Sequence, residues 1–516
     1  MSPFASLTVV VSALLPARQQ APGTVRFATS CAVAARPLFN RATALLHSFG
    51  FSQAADSFNA VLRADPRCAM AWWGLALTAW GNPFAAGLKA PAQLQRGLAA
   101  VRRARATGAP TERERGYIEA VARLYERADS VDQRTRLLAY RDAMAELAAR
   151  EPADTEAQIF HALAQAVSAD PADKTYASQL AAGATLERLF VKLPGHPGIA
   201  HYLIHSYDVP PLAGRALTAA GRYGRIAPTV SHALHMPSHT YTRVGDWRRS
   251  ISANVAAGNA AFREHATAEQ LHSMDYRTYA YLQTGQDTAA ARMLAALPAL
   301  ARRFDPTDFG SAAPPAAGYF AIAAIPARYA LERGDWAAAG RLELRPSPVP
   351  FADAITWFAR GLGAARSGDT AGAHTAVAEL ARLRDRLAQA GEFYWSEQVE
   401  LQHRSTAAWL AFAAGRRDSA LREMREAAQR EDATEKNAIT PGPLAPAREL
   451  LGEMLLAAGQ PAAALAAFEE TLRHEPNRWR ALAGAAAAAS ATGDRAAARK
   501  YRARLRQLAP GSLRTP

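Results

Sequence analysis

Apolar residues recur along this chain in helical rhythm. Leu451 and Leu455 stand four apart, as do Ala464 and Phe468 on the segment that follows, with Gly459 between the two segments. Near the start, residues 51–58 (FSQAADSF) run to Asp65-Pro66 and then to Ala71-Trp72-Trp73-Gly74, which reads as one helix, a stop, and the next helix. No segment alternates apolar and polar residues between turn residues as a half-buried strand does. The pattern predicts an all-α chain.

The helices repeat. Gly459 and Gly493 lie 34 residues apart, as do Ala464 and Ala498, and Pro476 and Pro510. Gly334 and Gly368 share the spacing, and Gly-Asp-Trp occurs at 245–247 and again at 334–336. Thirty-four residues is the tetratricopeptide (TPR) period, in which each unit is an antiparallel helix pair that buries its apolar face only by stacking on neighbours. Small Gly452 and Ala464 suit the contact between paired helices, Gly459 the turn, Phe468 the gap to the next unit, and Pro476 the helix end. The expected fold is a TPR-like α-solenoid. A Pro/Gly-rich connector at 304–318 divides it into an N-terminal domain, 25–303, and a C-terminal domain, 319–516; shorter breaks fall at 344–351 and 438–446.

Composition narrows the function. The chain has 516 residues, 49% hydrophobic, with a net charge of +14. Only five of its 60 basic residues are lysine, and the arginines are interleaved with acids, which marks solvated helix faces and argues against a phosphate-tracking nucleic-acid surface. The basic last helix, from Arg495 to Arg506, reads as a polar cap on the array. No segment is a transmembrane candidate. Residues 4–15 are an apolar run of signal-peptide length without a basic leader, so 1–24 is expected to be an export-signal-like or flexible segment. A periplasmic or secreted location follows, in which Cys31 and Cys68 would bridge.

The histidines are the chemical signal. Six of 13 fall between 196 and 239: His196, His201, His205, His232, His235 and His239. His201, His205 and Asp208 stand at i, i+4, i+7 and are expected on one helix face; His232, His235 and His239 stand at i, i+3, i+7. His205 and His239 are 34 apart, hence at equivalent positions on neighbouring parallel helices about 8–10 Å apart. The segment 210–225 reads as the helix between them. Imidazoles from two such helices can share a metal ion. His272 and Asp275 follow on the third helix of the row, with Asp208 and Asp275 suited to orient ligands. Pro237 either kinks the second histidine helix or starts it, and in the second case His232 leaves the shared face. Tyr202, Tyr207, Tyr241, Arg243 and Tyr276 border the site in sequence, as packing anchors or as relays near a redox ion. His47, His161, His265, His374, His403 and His474 stand alone and read as ordinary. In a TPR array the cluster is expected in the concave groove, open to a ligand.

Imidazole donors suit copper, which heads the affinity order, with zinc or iron as alternatives, as one ion or two with three histidines each. HExxH, CxxCH, GxSxG, P-loop and dinucleotide signatures are all absent, and no residue is marked as catalytic. A metal-dependent oxidoreductase is the favoured reading and a metal-dependent hydrolase the next. The alternative is a non-catalytic TPR module that takes a small-molecule, peptide or protein partner in its groove.

Several segments resemble a bacterial family of exported TPR-repeat proteins, mostly of unassigned activity. They are Leu45-Leu46-His47-Ser48-Phe49, the stretch Cys68 to Gly74, Gly81-Asn82-Pro83-Phe84, His196-Pro197-Gly198 with His201-Tyr202, His205 and Asp208, the run HALHMPSH at 232–239, and EDATEK at 431–436 with TPGP at 440–443. The resemblance runs from about Val25 onward and implies fold and export, not a reaction. Asn437 stands where the family is expected to have histidine and is left out of the site.

Overall fold

The computed structural model describes residues 22–85, 87–308 and 310–510. The export-like run at 4–15 lies outside them. Among the described residues the chain forms α-helices joined by short turns, two short 3-10 helices, and no strand. It is a TPR-like solenoid of antiparallel helix pairs, and no described helix is long and apolar enough to cross a membrane.

The Gly-Asp dipeptides have a local explanation. The glycine takes the left-handed backbone that ends one helix, as at Gly493 with φ 80°, which costs a Cβ-bearing residue energy. The aspartate then caps the next helix. Asp246 accepts from the Arg249 amide at 3.2 Å, Asp335 from Ala338 at 3.0 Å, and Asp494 from Ala497 at 2.9 Å. Phe468, fully buried, lies against Gly452 of its partner helix and Gly484 of the next one, where a Cβ would come within 2.8 and 2.3 Å of its ring. The last helix, Arg495–Leu508, buries Ala498, Tyr501 and Leu505 and turns its basic residues outward, as a cap should.

The apolar side chains gather in two large clusters. One runs from Val25 to Tyr241 with Ala312, and the other from Ala268 to Ala509. Helix Pro315–Leu331 begins inside the proline-rich 304–318 segment and packs on helix Thr267–Gln283. The superhelix curls far enough for distant parts to meet. Trp247 Nε1–H donates to the Asn477 carbonyl at 3.0 Å, and buried Arg478 pairs with Glu332 and Glu449 and donates to Tyr279 Oη at 2.9 Å. Cys31 and Cys68 are joined by a disulfide. A non-helical strap joins helices Arg417–Asp432 and Ala447–Ala457, and its Lys436 and Thr440 reach Asp208 and Arg328.

Candidate metal centre

Helix Pro197–Ser206 presents His201 and His205 one turn apart. It ends before Asp208, so the carboxylate expected on that helix face comes from the turn beyond. The next segment is likewise less regular than its sequence suggests: a 3-10 turn Ala213–Ala216 leads into helix Leu217–Ile226. Pro237 splits the second histidine segment into Ser231–His235 and Pro237–Arg243, while Met236 keeps helical angles (φ −53°, ψ −37°). The break is therefore a change of hydrogen bonding within a continuing helical path, and His232 stays with the cluster. Helix Thr267–Gln283 adds His272.

These elements sort six imidazoles into two triads. His201, His205 and His232 form one and His235, His239 and His272 the other, with the candidate ligand atoms of each set all within 4.8 Å of one another. The triads are adjacent: the His205 and His239 rings are 6.1 Å apart, as are His232 and His235. All six side chains are at least nine-tenths buried. The imidazoles are thus buried, not displayed on an exposed groove face. Residues 82–85, 312–317 and 437–439 cover them and leave a cavity of about 20 Å³.

Hydrogen bonds on the far side of the rings fix which nitrogens are free. His201 Nδ1–H donates to the His47 carbonyl at 2.6 Å, and its Nε2 has no partner. His205 Nε2 and both nitrogens of His232 are also buried without partners. His235 Nδ1–H donates to Asn254 Oδ1 at 2.7 Å; the amide is oriented by Asn254 Nδ2–H donating to the Ser250 carbonyl at 2.8 Å. His239 Nδ1–H donates to Asp208 Oδ2 at 2.9 Å. Asp208 also pairs with Arg243 at 2.9 Å and Lys436 at 3.4 Å; burial opposes its charge, but those cations and His239 hold its carboxyl well below the usual range. Carboxylate and carbonyl acceptors behind an imidazole are what a metal-binding histidine needs to be held in one tautomer.

Burial, reinforced by neighbouring histidines, pushes the imidazoles down, His201 and His272 to about 3 and His205, His232 and His235 well below their ordinary value. They are neutral at pH 7, with lone pairs available. Unpartnered buried polar atoms are costly, and here four ring nitrogens, on His201, His205 and His232, gather in one place. Nearby, Glu269 Oε1 accepts from the Ala313 amide at 2.6 Å and lies 3.7 Å from His232 Nδ1; burial raises its carboxyl to about 8.

Other site residues are placed differently. His196 caps its helix, accepting from the Ile199 amide, and its Nε2–H donates to Glu156 at 3.0 Å. Glu156 also accepts from His47 Nε2–H at 2.9 Å, and Tyr202 Oη–H donates to His47 Nδ1 at 2.9 Å. His196 and Tyr202 thus belong with His47 and Glu156 in a third group, where every ring nitrogen has a partner. Gly198 makes room for it, since a Cβ there would stand 2.5 Å from His47 Nδ1. His47, read as ordinary from its isolation, supplies the carbonyl that orients His201. Asp275 shares a helix with His272 but accepts from Arg328 Nε at 2.8 Å. Tyr276 Oη lies 3.4 Å from His239 Nε2 and donates toward the Ala438 and Thr440 carbonyls of the strap.

Sequence reasoning missed Phe49, Phe84, Asn254, Glu269 and Lys436 as parts of the site. Phe49 holds φ 56°, costly for a bulky residue, with its ring 4.3 Å from His201 and 5.4 Å from His232. Phe84 stacks on His205 at 3.9 Å. Asn437, set aside in the sequence, lines the small cavity. The signal that could have found several of these was present: segments 45–49, 81–84 and 431–436, quoted for the resemblance, supply Phe49, Phe84 and Lys436.

No family model matches the sequence, and no curated protein compared with it is similar enough to match. Among solved structures, a human IFIT1 dimer with m7Gppp-AAAA is similar over 85% of this chain and 90% of its own, at 12% identity and a TM-score of 0.36. The APC/C hetero-tetramer Cut9–Hcn1 is similar over 93% and 94%, at 12% identity and a TM-score of 0.30. Naa15/Naa10 bound to HypK is similar over 92% of this chain and 68% of its own, at 14% identity and a TM-score of 0.24. Likeness at this level carries no inference about function.

Proposed function

We propose that this protein is a metalloprotein whose two histidine triads hold two transition-metal ions side by side, and that it acts as a metal-dependent oxidoreductase. The carrying observation is the convergence of buried ring nitrogens: His201 Nε2, His205 Nε2 and both nitrogens of His232 have no partner, and His235 Nε2 and His239 Nε2 face each other at 3.0 Å. The residues fit a transition metal, because neutral imidazoles with anchored far sides are ready ligands. Copper is favoured because both donor sets are all-imidazole, with zinc and iron next. Bound copper would supply one-electron redox chemistry. The chain's own part is to hold the six imidazoles neutral and oriented through His47, Asp208 and Asn254, and to exclude water by burying them. The fully hydrogen-bonded group of His47, Glu156 and His196 is read as a buttress for His201 and is assigned no ion.

The location is proposed to be periplasmic or secreted, in keeping with the Cys31–Cys68 disulfide. A second reading, a module that holds a small molecule or peptide, rests on a cavity of about 120 Å³ across the strap, lined in part by Tyr394, Trp395, Glu431, Lys436 and Glu475. Elemental analysis of untagged protein separates the two. Two equivalents of one transition metal, with activity lost on stripping and regained on reconstitution, are expected. Protein that takes up no metal under any reconstitution would leave the binding module as the function.

A further inference from the structure

The covered space at the centre sets a limit on what can reach it. Resting on the two-ion reading above, we propose that the external ligand of the centre is a neutral molecule of about two heavy atoms, of the dioxygen class, and that Phe84 sets that limit. The cavity of about 20 Å³ touches His205 and His232 of the first triad and His239 and His272 of the second, so it borders both candidate sites. A single water needs roughly 10–15 Å³ by the same kind of measure. The space therefore takes one or two heavy atoms and no organic substrate.

Its chemistry agrees with its size. Beyond the imidazoles the walls are mainly apolar, including Phe84, Ala312, Pro314 and Ala438. The amide of Asn82 is already engaged: its Nδ2–H donates to the Ala312 carbonyl at 3.0 Å and its Oδ1 accepts from the Phe84 amide at 2.9 Å. Asn437 Oδ1 likewise accepts from the Ile439 amide at 3.0 Å, so beyond the imidazoles the polar lining side chains are two asparagine amides, and a small apolar visitor pays no desolvation penalty.

Phe84 is the aromatic part of a wall in which Asn82, Ala85, Pro314, Asn437 and Ala438 are also part-exposed. It is half-buried and stacks on His205 with ring centroids 3.9 Å apart and planes 9° apart, so nothing fits between them. Its loop is pinned, since Lys89 Nζ donates to the Asn82 carbonyl at 2.7 Å in addition to the Asn82 contacts. The ring is held against His205 at the wall of the cavity.

The test uses the copper-reconstituted full chain, with metal content measured first. In the reduced wild type, carbon monoxide is expected to bind, read from its infrared stretch. In the oxidised wild type, imidazole at millimolar concentration is expected to leave the electron paramagnetic resonance spectrum unchanged. Phe84→Ala should keep two equivalents of copper and the wild-type circular dichroism, bind carbon monoxide, and gain imidazole binding by at least tenfold; Phe84→Leu should fall between. Imidazole that perturbs metal-loaded wild type as it does Phe84→Ala overturns the size limit alone, as does a metal-loaded Phe84→Ala that still excludes it. Absence of copper in the wild type overturns the metal reading and this inference together.

Discussion

His235 and His239 aim their Nε2 atoms at each other across 3.0 Å, while the Nδ1 atom of each ring is engaged elsewhere. Each ring spends its one proton on the opposite side, His235 on Asn254 Oδ1 and His239 on Asp208 Oδ2. Burial disfavours a second proton on either ring. With both rings neutral and their protons on Nδ1, the two Nε2 lone pairs face each other and repel, and a shared cation stabilises the arrangement. The same helical turn separates His201 and His205, whose Nε2 atoms are unpartnered.

Metal stoichiometry should follow the triads and not the sequence segments. His205→Ala is expected to lose one of two equivalents, His239→Ala the other, and the double variant both, with helical content kept because solenoid stability is spread over many interfaces. Elemental analysis with circular dichroism on the three variants checks this. A double variant that retains two equivalents would place the ions elsewhere.

Asp208→Asn should be costly in two ways. It removes the carboxylate that compensates Arg243 and Lys436, whose side chains are only 4% and 5% exposed. Breaking a buried pair by deleting one partner typically costs about 3–5 kcal/mol, measurable by urea unfolding of the metal-free protein. It also removes the acceptor behind His239, and loss of such a partner weakens metal binding by roughly 10–100-fold. A loss of stability with unchanged affinity would show that the carboxylate serves only the fold.

Glu156→Gln tests the buttress. The carboxylate accepts from both His47 and His196; burial opposes its charge, and the two histidines outweigh that and hold it well below the usual range. The amide cannot accept from both on the same terms, so the His47 carbonyl should shift relative to His201. We expect weaker copper binding at the first triad and unchanged binding at the second, resolved by calorimetric titration. Equal weakening of both sites would argue for a general loss of folding.

Acid should destabilise the metal-free protein. The buried imidazoles sit below the ordinary value of 6.5, His201 and His272 at about 3. The unfolded chain takes up protons as pH falls through 6.5 while the folded chain does not. Their contribution is therefore full above 6.5 and is lost progressively as pH falls toward 3, at up to about 1.4 kcal/mol per pH unit for each group. Glu269 and Glu431, pushed up to about 8 by burial, act in the opposite direction between 4.5 and 8. To isolate the histidine part, urea midpoints of wild type and His232→Ala can be compared from pH 7.5 to 5. The variant should show the shallower slope; parallel slopes would mean that His232 titrates normally.

The all-α architecture, the 34-residue unit and the Gly-Asp turns are local matters, and the sequence alone determined them. A glycine in the left-handed region, an aspartate at a helix N-cap and apolar residues every three or four positions need no distant partner to be read. The same holds for gathering His201, His205, His232, His235 and His239, because one helical turn and one repeat period are fixed lengths. Their grouping into triads was decided only by tertiary structure. The helical path continues through Pro237, so His232 stays with the cluster and joins His201 and His205, while His272 from another helix completes the other set. The fold also drew His196 away to Glu156, turned Asp275 to Arg328, and brought Asp208 to His239 from beyond a helix end. It buried the imidazoles, with residues 82–85, 312–317 and 437–439 laid over the centre. Spacing along a helix states which side chains share a face; which nitrogens are left without a partner depends on contacts such as His201 with His47, 154 residues apart, and these exist only once the solenoid has curled.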